Sequence, residues 1–256
     1  MNPDYTRFIA ADPVDRQGVF VGASRRLGTA PQIIEKDFWV CWTLDALFNG
    51  PAAQRPRFLF KGGTSLSKGF GLIERLSEDI DITVFREDLG EDASVAALKA
   101  MSGTKRRAKL DAIKEACQQF IGGPLLGQLS AVVTQLVQDT GTTDKKDRVE
   151  LDPDDESRQS LLLWYPSVTT SSDGYIRKAV KIESGAKSAL DPHRPHRVIP
   201  YLAEDLRGFD LSIENVTIVD AKRTFWDKVV ILHGLRRWFD TRGVLRAGGQ
   251  RVSRHY

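Results

Sequence analysis

FLFKGGTSLSKGFGLIERLSEDIDITV, running from Phe58 to Val84, is the stretch whose reading decides the fold. Its apolar opening, Phe58-Leu59-Phe60, has the length of a short buried strand, and Gly62-Gly63 breaks it. An amphipathic helix is predicted after the glycines, and a second strand through Asp79-Ile80-Asp81-Ile82. Strand alternation sets both of its carboxylates on one face and both isoleucines on the other. Two glycines opening a helix let the backbone close on a ligand, and free N–H groups with the helix dipole favour an anion such as phosphate. Thr64 and Ser65 add hydroxyl donors, and Lys68 follows about one turn later. Asp79 and Asp81 would repel each other unless a cation stood between them. Carboxylate oxygens completed by substrate phosphates are what Mg²⁺ takes. A Walker A loop does not fit, because Ser67 and not glycine precedes Lys68.

The chain has 256 residues, 41% of them hydrophobic, enough for a sizeable core in one or two domains. No apolar run approaches the roughly 18 residues of a membrane helix, and MNPDYTRFIAADP lacks the layout of a signal peptide. A cytoplasmic protein with no membrane partner is expected. Cys41 and Cys117 stand far apart without partner spacing, so buried free thiols are expected. A net charge of +3 permits nucleic acid as a partner without arguing strongly for it.

Upstream, Pro31 to Phe48 carries apolar residues at helical spacing, with Pro31 at its first turn and Asn49-Gly50-Pro51 closing it. Downstream, Ala93 to Phe120 is amphipathic, with Leu110, Ile113, Ala116 and Phe120 as its buried side. Its Lys105-Arg106-Arg107 and Lys109 are either a solvated face or a contact for an RNA backbone. A separate helix is predicted from Pro124 to Gln138, and Asp152, Asp154 and Asp155 read as an exposed acidic loop. Strands follow at Leu161–Tyr165 and Tyr175–Ser184. In the second of these Lys181 and Glu183 share a face opposite Val180 and Ile182. Phosphoryl transfer at two metal ions commonly takes a third carboxylate from a neighbouring strand, and Glu183 is the candidate; an ordinary exposed glutamate is the alternative. Asp191 to Arg197, DPHRPHR, is read as a surface turn because Pro195 parts its histidines. Glu214 to Val219 is a further strand, and a long helix opens near Asp220 and contains Thr224-Phe225-Trp226-Asp227-Lys228.

The glycine turn followed by a D-x-D strand resembles the DNA polymerase β-like nucleotidyltransferases. More narrowly, KGGTSLSK with SEDIDI, the Glu35-Lys36-Asp37 triplet and the TFWDK helix resemble the AbiEii/AbiGii-type nucleotidyltransferase toxins of abortive-infection and toxin–antitoxin systems. The resemblance runs from Glu35 to Tyr256. It implies an α/β (α+β) core over residues 1–219, a mixed sheet flanked by helices, with 220–256 beginning a helical C-terminal domain. In that family an aspartate in a further helix follows the run resembling Ser253-Arg254-His255-Tyr256, so a truncated C-terminal part is expected.

The activity implied is transfer of a nucleoside monophosphate from a triphosphate to an acceptor hydroxyl. A tRNA 3′ end is the implied acceptor and a cognate antitoxin the implied partner. Asp79, Asp81 and Glu183 would hold two Mg²⁺ ions, and Gly62, Gly63, Thr64, Ser65 and Lys68 would bind the nucleotide. The family's helix lysine, which holds nucleotide phosphate, falls on Lys228. Two alternatives stay open: nucleotide transfer to a small molecule such as an antibiotic, and a nucleotide- or RNA-binding module without turnover.

Overall fold

The computed structural model describes residues 1–53, 56–73, 79–142, 148–170, 176–188 and 190–245. Seven strands run β1 (Phe58–Lys61), β2 (Asp79–Val84), β3 (Val149–Leu151), β4 (Ser160–Trp164), β5 (Ala179–Gly185), β6 (His193–Val198) and β7 (Ile213–Val219). They form one sheet in the order β3-β4-β5-β2-β1-β7-β6. The sheet is mixed, as expected: β2 and β5 are parallel, as are β1 and β7, while the other neighbours are antiparallel. The helices are α1 (Pro3–Ile9), α2 (Pro13–Leu27), α3 (Pro31–Asn49), α4 (Gly62–Phe70), α5 (Val95–Ala100), α6 (Gly103–Phe120), α7 (Leu126–Thr140) and α8 (Ala221–Arg242). Met1–Val219 and Asp220–Tyr256 are separate compact units.

Alternation along the strands decides where the core lies. Phe58, Phe60, Ile80, Ile82, Leu161, Leu163, Val180 and Ile182 all join one buried cluster, with α3 packed on β2, β5 and β7. Burying each such side chain contributes about 1.5–3 kcal/mol. Trp39 and Trp42 are wholly buried on α3, and Tyr165 stacks on Trp39 with ring centroids 5.2 Å apart. Cys41 and Cys117 are free and buried. In α8, Asp220 caps the first turn by accepting from Lys222 N at 2.9 Å, and Phe225, Trp226 and Val230 are exposed.

Four sequence readings differ from the structure. Gly122-Gly123-Pro124 does not break the chain: a π-helical turn, Ile121–Leu125, carries α6 into α7. The wider turn accommodates the proline, and fully buried Ile121 and Leu125 anchor it. The resulting run Gly103–Thr140 holds an 18-residue window of mean hydropathy 1.4, so one helix does reach membrane-spanning length and composition; its Leu125, Leu129, Val133 and Leu136 are buried in the core. DPHRPHR contributes a strand and not a turn, because among the described residues β6 is the edge strand beside β7, where proline is tolerated. In α6, Ile113, Cys117 and Phe120 are buried, while Leu110 and Ala116 are only half-buried.

Candidate active site

β1 ends at Lys61, whose register partner on β2 is Asp81. The chain then turns through Gly62 at φ +79°, a left-handed conformation that glycine alone adopts freely. A second requirement falls on the same residue. A Cβ on Gly62 would overlap Asp81 Oδ2 and lie 2.9 Å from Asp81 Cγ, so the turn is seated directly against a carboxylate. Gly63 has open space where its Cβ would be. Lys61, the residue before α4, makes no side-chain cap, so its first-turn N–H groups are not claimed in that way.

Thr64 and Ser65 are buried and brace this turn. Thr64 Oγ1 donates to Asp79 O at 2.5 Å, tying α4 to β2, and Ser65 Oγ donates to Gly62 O at 2.9 Å. Lys68 points into the interior, its side chain 2% exposed. Its ammonium pairs with Asp37 of α3 and stands 3.4 Å from the centroid of the Tyr201 ring. Asp37 also accepts from Tyr201 N at 2.8 Å. Burial lowers the pKa of Lys68, and Asp37 beside it more than offsets this, holding the ammonium above the ordinary lysine value. Of the triplet on α3, Glu35 is likewise buried, accepting from Ser167 Oγ at 2.8 Å, Val168 N at 2.7 Å and Thr169 N at 3.2 Å.

The parallel pairing of β2 with β5 sets Asp79 opposite Lys181 and Asp81 opposite Glu183. Register partners project from the same sheet face, so Asp79, Asp81 and Glu183 share it with Lys181 and Lys61. Asp79 and Asp81 are half-buried, and the Glu183 side chain is 47% exposed. Glu183 is engaged: Lys181 Nζ stands 2.8 Å from its Oε1 and 3.3 Å from Asp152 Oδ2. Asp152 therefore does not lie on an exposed loop. Its side chain is 2% exposed, because antiparallel β3 and β4 bring it beside β5. Burial lowers the Lys181 pKa, and its bonds to Glu183 and Asp152 outweigh that, leaving it raised.

Among the described residues, no three His, Cys, Asp or Glu side chains stand together as a metal cage. The residues fit a divalent cation in part: Asp79 and Asp81 offer carboxylate oxygens on one face, while Glu183 is turned to Lys181. Lys228 lies on α8, one turn beyond Thr224, in the second unit. Sequence reading missed the roles of Asp37, Asp152 and Lys181. Three consecutive charges on a largely apolar helix were the signal that Asp37 needed a partner. A cavity of about 720 Å³ lies between the α1–α2 turn, the end of α7 and Pro166–Val168, and none of the three carboxylates lines it.

A family model described as a nucleotidyl transferase AbiEii toxin of a type IV toxin–antitoxin system matches residues 45–256. No curated protein and no solved structure matches the chain.

Proposed function

The chain belongs to the AbiEii nucleotidyltransferase toxins of type IV toxin–antitoxin systems, and from that premise we propose that it transfers a nucleoside monophosphate to a tRNA 3′ end with Mg²⁺ as cofactor. The family implies a nucleoside triphosphate as donor and a cognate antitoxin. The observation that supports the reading is the close seating of Gly62 against Asp81, which leaves no room for a Cβ and puts the glycine turn directly beside a carboxylate.

The acceptor's terminal hydroxyl oxygen attacks the α-phosphorus. A new P–O bond forms, the bond to the β-phosphate breaks, and pyrophosphate leaves with its electron pair. Backbone N–H groups at Gly62 and Gly63 bind the triphosphate. Thr64 and Ser65 fix that turn, Lys68 fixes α4 beneath it, and Lys228 takes nucleotide phosphate by likeness to the family's helix lysine. Asp79 and Asp81 would hold the divalent cation, with Glu183 completing its shell and receiving the hydroxyl proton. A cation held there would supply neutralisation of the negative charge that develops during transfer. The reaction belongs in the cytoplasm, where both substrates are found.

The test is incubation with labelled nucleoside triphosphates, Mg²⁺ and total tRNA. Label is expected on RNA, and Asp79→Asn and Asp81→Asn should abolish it while leaving the fold intact, since each removes like-charge repulsion. Label on an aminoglycoside-like small molecule and none on RNA would replace the tRNA reading. Nucleotide binding without transfer to either would reduce the protein to a binding module.

A further inference from the structure

Lys181 holds two carboxylates of very different standing. Asp152 is desolvated and fixed: its Oδ1 accepts from Asp154 N at 3.1 Å, and Arg177 Nη1 stands 3.9 Å away. Glu183 is half in solvent. Withdrawing the closer cation from buried Asp152 leaves it only the more distant Arg177, whereas an exposed carboxylate regains water at small cost. When one of the two bonds opens, Glu183 is the partner that lets go. The register also sets Lys181 opposite Asp79, so its positive charge lies on the carboxylate face itself.

We propose that Lys181 is a positioning residue that governs when Glu183 joins Asp79 and Asp81, and that Asp152 is the anchor on which Lys181 stays when Glu183 leaves it. The inference rests on the reading of that face as a divalent cation site. In the resting protein Lys181 restrains Glu183 and offsets the crowded negative charge. On cation binding Glu183 exchanges the ammonium for the metal, and Asp152 prevents Lys181 from following. Lys181 therefore competes with the metal for Glu183, while Asp152 competes with Glu183 for Lys181, which gives substitutions at the two positions opposite signs.

The experiment is a Mn²⁺ titration of the full chain without nucleotide, read by calorimetry and by the electron paramagnetic resonance signal of free Mn²⁺. Lys181→Met should bind Mn²⁺ about two- to fivefold more tightly, the range of a partly exposed ion pair. Asp152→Asn should bind it more weakly, because Lys181 then rests on Glu183 alone. Lys181→Arg should stay near the parent protein, and Glu183→Gln should erase the gain made by Lys181→Met. Thermal unfolding of each variant separates a lost fold from a lost site. Unchanged or weaker binding by folded Lys181→Met overturns the inference, as does Asp152→Asn moving in the same direction as Lys181→Met. If the parent binds Mn²⁺ and transfers nucleotide while every variant matches it, the inference fails and the proposed function stands. If neither the parent nor any variant binds Mn²⁺, both fail.

Discussion

Gly62→Ala imposes two separable costs. At φ +79° an alanine carries about 1–2 kcal/mol of left-handed strain. Its methyl would also meet Asp81, whose Cγ at 2.9 Å must retreat to an ordinary contact of about 3.5–4.0 Å, a shift of roughly 0.6–1 Å. Overpacking of that kind costs about 1–3 kcal/mol. The sum, about 2–5 kcal/mol, lowers the midpoint of thermal unfolding by roughly 5–15 °C in a chain of this size. Displacing a reacting-site group by about 1 Å lowers turnover by about 100-fold, so transfer should fall further than stability explains. Calorimetric scans and labelled-nucleotide transfer are compared for Gly62→Ala, Gly63→Ala and Gly62→Ala in an Asp81→Ala background. Gly63→Ala, with open space at its Cβ, should keep its unfolding midpoint. The Asp81→Ala background should remove most of the overpacking and leave the backbone strain. Equal cost in both backgrounds would show that the Asp81 contact is not the source, and an unchanged midpoint with unchanged transfer would refute the argument altogether.

Lys68→Met leaves Asp37 buried without its cation, where burial already raises the carboxyl's pKa, and should cost up to about 3–5 kcal/mol in urea unfolding. Adding Asp37→Asn should recover most of that loss, and strict additivity of the two changes would count against a direct pair. Asp155 supplies an acid-pH test. Burial raises its pKa, but hydrogen bonds from Ser157, Ser160 and Gln159 outweigh it and hold the carboxyl at about 2. A folded value below the unfolded one, about 3.9, means that its contribution is complete above that pH and is lost as pH falls towards 2. Asp155→Asn should flatten the stability profile between about pH 4 and 2. A carboxyl resonance of Asp155 titrating near 4 in the folded protein would refute this.

The central unit was legible because its signals are local. A glycine pair ends an apolar run, the alternation of Asp79 to Ile82 fixes two faces, and the same alternation places Glu183 with Lys181. What stayed hidden depends on elements distant in sequence. Lys68 looks like a phosphate ligand beside a glycine turn, and only the packing of α4 against Asp37 and Tyr201 shows where its charge goes. Asp152 looks like loop acidity in Asp-Pro-Asp-Asp, and only the order β3-β4-β5 brings it to Lys181. Pro195 argued against regular structure, which would have held in a central strand and fails at an edge. Ser77 and Glu78 of SEDIDI and the run Ser253 to Tyr256, which carried part of the resemblance, lie outside the described residues.

The seat of α4 has a consequence for synthesis. Tyr201 closes over Lys68, and β7 lies along β1 through Phe60 and Ile218. A ribosome delivers residues from the N-terminus at about 5–20 per second, so the glycine turn emerges roughly 140 residues, on the order of ten seconds, before Tyr201. Throughout that interval the nascent chain carries the turn and its aspartates without the Tyr201 ring over Lys68 and without β7 beside β1. The seat of α4 is therefore completed late, once the segment carrying Tyr201 and β7 has been translated.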